Sequence, residues 1–287
     1  MAGSQPHDRF FKALFQRPDT ALALLQERLP AEIAAALVAE PPERLDTGFI
    51  DPALAGHQSD LLLRARGRDG RPVYVYCLIE HKSWVDRWVP LQLLRYLTFL
   101  WLRLAELPEH REKLPFIVPL VVYHGPGRWN GPTRFSDLLE YGSPDWLRWA
   151  PELPLLVVDL GQTPDEQLSR QPLLAAGFRL LKHGFALPAG EQVDALTWLL
   201  SGFAGDLEYL VYATSYILEV HAKVPPNRLR TAVRRVAPGK EDEVLSKAVL
   251  ELMEETRLKV EAEGELKGKR ALLLRLLERR FGQLPGE

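Results

Sequence analysis

Residues 60–82 read DLLLRARGRDGRPVYVYCLIEHK, two runs of alternating character on either side of Gly67-Arg68-Asp69-Gly70. Glycine and aspartate gathered between β-prone runs predict a hairpin turn. In the first run Leu61, Leu63 and Ala65 are apolar at odd positions, while Asp60, Arg64 and Arg66 are even; in the second, Val73, Val75, Cys77 and Ile79 are odd, while Glu80 and Lys82 are even. Side chains alternate between the faces of a strand, so the apolar faces coincide only if opposed residues have numbers with an even sum. A three- or five-residue turn centred on Asp69 meets that condition and pairs Asp60 with Leu78. Glu80 is then the diagonal neighbour of Asp60, roughly 7 Å away between backbones. A two-residue turn would send the two acids to opposite faces.

Downstream of Ser83 the period lengthens to that of a helix, with Leu91, Leu94, Leu97 and Leu104 on one apolar surface and Gln92 and Tyr96 four residues apart on one side. LPFIVPLVVYHG (114–125) and LPLLVVDLG (153–161) are almost uniformly apolar, as strands covered on both faces are. The glycine- and proline-rich stretch 124–135 between them reads as loop, followed by a short helix around Asp137 to Glu140. From Thr163 onward the periodicity is helical, ending in a charge-alternating helix over 241–282 with Gly264 and Gly268 as weak points. Upstream, three short helices over 7–16, 18–29 and 31–40 form a lid or flank, and Pro41-Pro42 opens a segment whose Gly48 and Pro52 suit a loop or edge strand. The expected architecture is α/β, a mixed sheet flanked by helices with a helical C-terminal part. The expected division is a core over 1–165, a helical region over 166–238 and a charged helical extension over 239–287.

A chain of 287 residues with 46% hydrophobic content can bury a sizeable core, and its formal net charge of −2 places any polyanion site in a local patch. The single cysteine, Cys77, excludes an intramolecular disulfide and a cysteine-based zinc cluster. The opening MAGSQPHDRFFK has no apolar signal region, and the apolar stretches 114–123 and 88–105 are too short or too interrupted to span a bilayer. The expectation is a cytoplasmic protein without a membrane segment.

The stretches HDRFFKALFQ, LPAEI, SDLLLRAR, YVYCLIEHKS, DRWVPLQLLRY, LPFIVPLVVYHG and the terminal LLRLLERRFGQLP together resemble the recombination-promoting nucleases, also called YhgA-like putative transposases. That family is similar to the PD-(D/E)XK nuclease superfamily, whose restriction-endonuclease-like core carries an acid on one strand and (D/E)-x-K on the next. On this resemblance Asp60 matches the first acid, Glu80 the second and Lys82 the lysine, while Gln92 and Tyr96 match a Q-x-x-x-Y helix motif. Relatives often carry glutamine where this chain has Lys82.

The resemblance implies a metal-dependent DNA endonuclease, with DNA as partner and a role in recombination or mobile-element biology. Asp60, Glu80 and the backbone carbonyl of His81 would hold Mg²⁺ or Mn²⁺, hard cations suited to oxygen ligands. Lys82 would orient a water or neutralise charge, Gln92 and Tyr96 would border the site, and Asp8 would be an outer acid. The alternative is a non-catalytic DNA-binding or assembly module that keeps the fold, with the C-terminal helix as its partner surface and a route to homo-oligomers. A strict transposase is less well supported, since no third carboxylate stands at a convincing place.

Other residues have plainer readings beside the functional ones. His7, His81 and His124 lie on separate elements without ligand spacing, which favours packing or surface roles. Trp84, Trp88 and Trp101 could stack bases, but aromatics at helical spacing more often belong to the core. Arg64, Arg66, Arg68 and Arg71 on the hairpin, and Arg228, Arg230, Arg234 and Arg235 further on, fit either phosphate contacts or a solvated face.

Overall fold

The computed structural model describes residues 6–45, 60–80 and 85–254, with 256–258, 260, 261 and 264; for residues 60 and 76–80 it describes the backbone. The architecture is α/β: a mixed five-stranded sheet in the order β1-β2-β3-β4-β5, flanked by helices. The strands are β1 (Glu43–Leu45), β2 (Asp60–Arg66), β3 (Pro72–Glu80), β4 (Phe116–Tyr123) and β5 (Leu156–Asp159). β1, β2 and β3 pair antiparallel, whereas β3, β4 and β5 pair parallel. A short helix, α3 (Ala31–Ala36), precedes β1, and the parallel step from β3 to β4 is made through α4 (Val89–Leu104), as a parallel crossover requires.

The hairpin register is the one its side-chain alternation demands. Asp60 pairs with Leu78, Leu63 with Val75 and Arg66 with Pro72. The Gly67 amide donates to the Arg71 carbonyl at 2.8 Å, closing a turn centred on Asp69, whose carboxylate accepts from the Arg71 amide at 3.0 Å. Gly70 takes φ +83°, a left-handed conformation that a Cβ disfavours.

Each sheet face has its own apolar layer. One buries Leu61, Leu63, Ala65, Val75, Val118, Leu120, Val122 and Val158 under α1 (Pro6–Leu14), α2 (Pro18–Arg28), α5 (Pro172–Lys182), α6 (Gln192–Ser201), α7 (Leu207–Val220) and α8 (Pro226–Val236). Val244 and Ala248, from helix α9 (241–254), join the same cluster. The opposite face buries Leu62, Tyr74, Ile117 and Val121 under α4. β4 lies between two neighbours and under both layers, and all of its residues after Phe116 are buried. Its uniform apolarity follows from having no solvent face.

Two readings of the helices need revision. α1 and α2 are core rather than lid: Phe11, Leu14 and Leu24 are fully or almost fully buried. On α4 the buried stripe runs through Val89, Leu93, Tyr96, Leu97, Leu100 and Leu104, and Leu91 is exposed. A helix started at Val89 brings residues four, seven or eight and eleven further on to the same side, so Leu91 falls off it. Among the described residues no helix is long and apolar enough to cross a membrane.

Gly70→Ala forces a Cβ into a left-handed turn position and is expected to destabilise the fold by about 1 kcal/mol in chemical denaturation. A pH dependence comes from His183 and His221, which cap the C-termini of α5 and α7 and are joined by a 3.1 Å hydrogen bond from His221 Nε2 to the His183 carbonyl. Burial lowers both imidazole pKa values below 6.5. Such groups take protons more readily in the unfolded chain, so stability is full above the unfolded value and declines as the pH falls through it toward the folded value. The thermal midpoint is expected to drop between about pH 7.5 and pH 5.5. In His221→Gln the drop should be smaller.

Candidate functional site at one end of the sheet

β2 starts, and β3, β4 and β5 finish, at the same end of the sheet. The register places Tyr123 beside Glu80 and Asp159 beside Tyr123, with Asp60 opposite Leu78 two residues before Glu80. Strand alternation therefore assigns positions 60, 78, 80, 123 and 159 to one face, the face of Leu62 and Tyr74 that α4 covers. Ligand sites of open parallel sheets characteristically lie outside the carboxyl ends of the strands.

Of the residues singled out from the sequence, Asp60 and Glu80 are the first residue of β2 and the last of β3. His81 and Lys82 lie outside the described residues, as does Trp84. Gln92 and Tyr96 stand on α4 over the same sheet face. Gln92 Nε2 donates to the Tyr96 hydroxyl at 3.0 Å, and Tyr96 is buried among the residues packed on Tyr74 and Val121. The four-residue spacing thus yields a bonded pair whose phenol is anchored in the core and whose amide is half-buried.

Asp8 is buried in α1, on the other side of the sheet. Its neighbour His7 belongs to a cluster assembled from distant parts of the chain. The His7 ring lies 4.7 Å from that of His124, just beyond β4; both stack on Phe185, and His7 Nδ1 is 2.7 Å from the Tyr216 hydroxyl. The two histidines pack as buried aromatics. Among the described residues no group of three or more His, Cys, Asp or Glu could hold a metal ion. The hairpin and α8 arginines are largely spent on neighbours. Arg64 pairs with Glu43, Arg66 with Glu40, Arg71 with Asp69, Arg228 with Glu191, Arg230 with Asp242, Arg234 with Glu241 and Arg235 with Asp194. Arg68 donates to the Ala35 carbonyl.

One residue escaped the sequence reading. Asp159 ends β5 in the row of Glu80 and Tyr123, and its carboxylate accepts from two backbone amides, Trp129 at 2.8 Å and Gln162 at 3.2 Å. It thereby ties the loop after β4 to the turn after β5 at the border of the site. Trp129 also meets Tyr123 edge to face at 5.4 Å. The only cue in the sequence was an acid closing the apolar run LLVVD. A groove of about 600 Å³, lined by Arg68, Arg71, His110, Lys113 and Phe116 among others, lies at the opposite end, beside the hairpin turn. It has no part in this arrangement.

Comparison with known proteins finds relatives over most of the chain. A sequence profile for the family described as "Putative transposase, YhgA-like" matches residues 5–205. The chain is 29% identical over 252 residues to the recombination-promoting nuclease RpnA of Escherichia coli (strain K12), covering 85% of this chain and 82% of that protein. It is 27% identical over 215 residues to the recombination-promoting nuclease RpnD of Escherichia coli O157:H7, covering 75% and 82% of the two chains. It is also 30% identical over 221 residues to the inactive recombination-promoting nuclease-like protein RpnE of Escherichia coli (strain K12), covering 75% and 71%. No solved structure matches the chain.

Asp159→Ala leaves the Trp129 and Gln162 amides without their acceptor. It is expected to cost about 1–3 kcal/mol in chemical denaturation and to speed proteolysis within residues 125–131. Asp159→Asn, which keeps one acceptor oxygen, should lose less.

Proposed function

The chain belongs to the YhgA-like putative transposase family, and on that premise we propose that it is a metal-dependent DNA endonuclease of the recombination-promoting type, built on a PD-(D/E)XK-like core. The observation that carries the reading is the hairpin register. An odd-membered turn about Asp69 sets Asp60 against Leu78, so that positions 60 and 80 share one face at the end of the sheet. Two carboxylates offered from adjoining strands are hard oxygen donors, the chemistry that Mg²⁺ and Mn²⁺ prefer.

In this reading Asp60, Glu80 and the His81 carbonyl hold the ion. When bound, it supplies charge neutralisation at the phosphoryl oxygens and lowers the pKa of a water. Lys82, two residues beyond Glu80, orients the attacking water or offsets the charge that develops on the phosphate. Tyr96, fixed in the core, holds the Gln92 amide through their hydrogen bond, and Gln92 then borders the substrate phosphate or Lys82. The names of RpnA and RpnD support the nuclease reading.

The name of RpnE favours a second reading, in which the chain keeps the fold as a non-catalytic DNA-binding or assembly module. The charged C-terminal helix, beginning with α9, then serves as the partner surface and joins copies of the chain.

Incubating the purified full-length protein with supercoiled plasmid and Mg²⁺ or Mn²⁺ separates the two. Nicking is expected with either ion and not in chelator, and Asp60→Ala, Glu80→Ala and Lys82→Ala should each lower the rate at least about 100-fold while circular dichroism stays unchanged. Cleavage undiminished in the two acid variants would sink the nuclease reading. Binding without metal-dependent cleavage would establish the second.

A further inference from the structure

Two segments outside the proposed catalytic set flank the end of the sheet and touch each other. The first runs from Val85 into α4, entering the described chain just after β3 and the residues that follow Glu80. The second is the loop 124–131 after β4. They meet closely: a Cβ at Gly131 would lie 2.4 Å from Val85 Cγ1, so only glycine permits this approach. Each is held in place from its own side. Asp86 Oδ1 accepts from the Trp88 amide at 2.9 Å at the start of α4, and Asp159 holds the Trp129 amide at 2.8 Å.

Between them these segments present Arg87, Trp88 and Arg128. Arg87 and Arg128 are exposed, and Trp88 is 52% exposed although it directly precedes the most buried stretch of α4. The Arg87 guanidinium lies over the Trp88 ring at 5.1 Å from its centroid. Arg128 donates from Nε to a neutral group, Gln162 Oε1, at 3.3 Å. Among the described residues neither arginine pairs with a carboxylate. This sets them apart from the α8 arginines, each of which has an acidic partner. Two uncompensated guanidinium groups and an open indole beside the proposed scissile site match a strand of negative phosphates carrying an unstacked base.

We propose that Arg87, Trp88 and Arg128 form the grip for a single strand of DNA, the arginines on its phosphates and Trp88 stacked on an unpaired base. The inference rests on the nuclease reading and deepens it by naming the strand geometry that the site accepts. Asp159 is a positioning residue for this grip, since the amide it holds adjoins Arg128.

The test is binding of the full-length protein, in chelator, to a fluorescein-labelled oligodeoxythymidylate and to a labelled duplex, by anisotropy over a salt series. Arg87→Ala and Arg128→Ala are each expected to reduce the slope of log affinity against log salt by about 0.7 on the single strand. Trp88→Ala should weaken single-strand binding at least about fivefold and duplex binding less, and Trp88→Phe should restore most of the loss. Arg235→Ala, which removes an arginine paired with Asp194 far along the chain, should leave the slope unchanged. Wild-type affinity and slope in all three alanine variants would overturn the inference. If the wild type nicks DNA and Asp60→Ala abolishes nicking, that result removes the grip and leaves the nuclease reading standing. A wild-type chain that neither binds nor cleaves DNA removes both.

Discussion

The Gly67 amide reaches the Arg71 carbonyl across a turn centred on Asp69, and this contact sets the parity of every pair in the β2–β3 hairpin. Parity decides which residues face which layer. With it, Leu61, Leu63, Ala65 and Val75 lie under the helices on one side, while Leu62 and Tyr74 lie under α4 on the other. A slip by one residue would exchange the two sets and turn Arg64 and Arg66 into the larger core. Burying an unpaired charge costs several kcal/mol, so burial on both faces defends the register far more strongly than the turn could alone. The acids at the end of the hairpin inherit their common face from a constraint to which they contribute nothing.

The second organising feature is the row that crosses the sheet from Glu80 through Tyr123 to Asp159. Parallel strands deliver their last residues to one end, and the loops that follow must cross there. Asp159 spends its carboxylate on two of the amides those loops expose. A carboxylate holding two N–H groups is committed to structure. Electrostatics sharpen the same end of the sheet. With a net charge of −2 and with the hairpin and α8 arginines mostly paired to acids, Arg87 and Arg128 are among the cations that no carboxylate of the described residues answers.

Features with a short period were legible in the sequence. Strand alternation repeats every two residues, so the hairpin, its register and the double burial of β4 could be argued from side chains alone, and so could the helical character of α5 to α8. The phase of α4 was not. Its sequence is apolar nearly all round, and which leucines face the sheet depends on where the helix begins, so Leu91 was placed on the wrong side. Contacts between distant segments were invisible for a different reason. His7 belongs to α1 and His124 follows β4, far apart in the sequence, yet their rings are 4.7 Å apart. The role of Asp159 depends on an amide thirty positions earlier in the chain. Trp88 looked like core because aromatics near a helix usually are; as the residue that caps α4, it stands before the first buried turn and stays in water.

That relatives of this chain include proteins named as nucleases and proteins named inactive is consistent with the proposed site, in which stabilising and reacting groups sit apart. The core is made of aliphatic and aromatic side chains on the interior positions of strands and on helix faces, and Tyr96 of the proposed site belongs to it. Asp60 and Glu80 occupy the terminal positions of their strands. On the proposed assignment, replacing an acid there would remove the chemistry while the core that carries the architecture is untouched. Family membership therefore constrains the fold of this protein more tightly than its activity. In this chain the residues proposed for that chemistry are Asp60, Glu80 and Lys82.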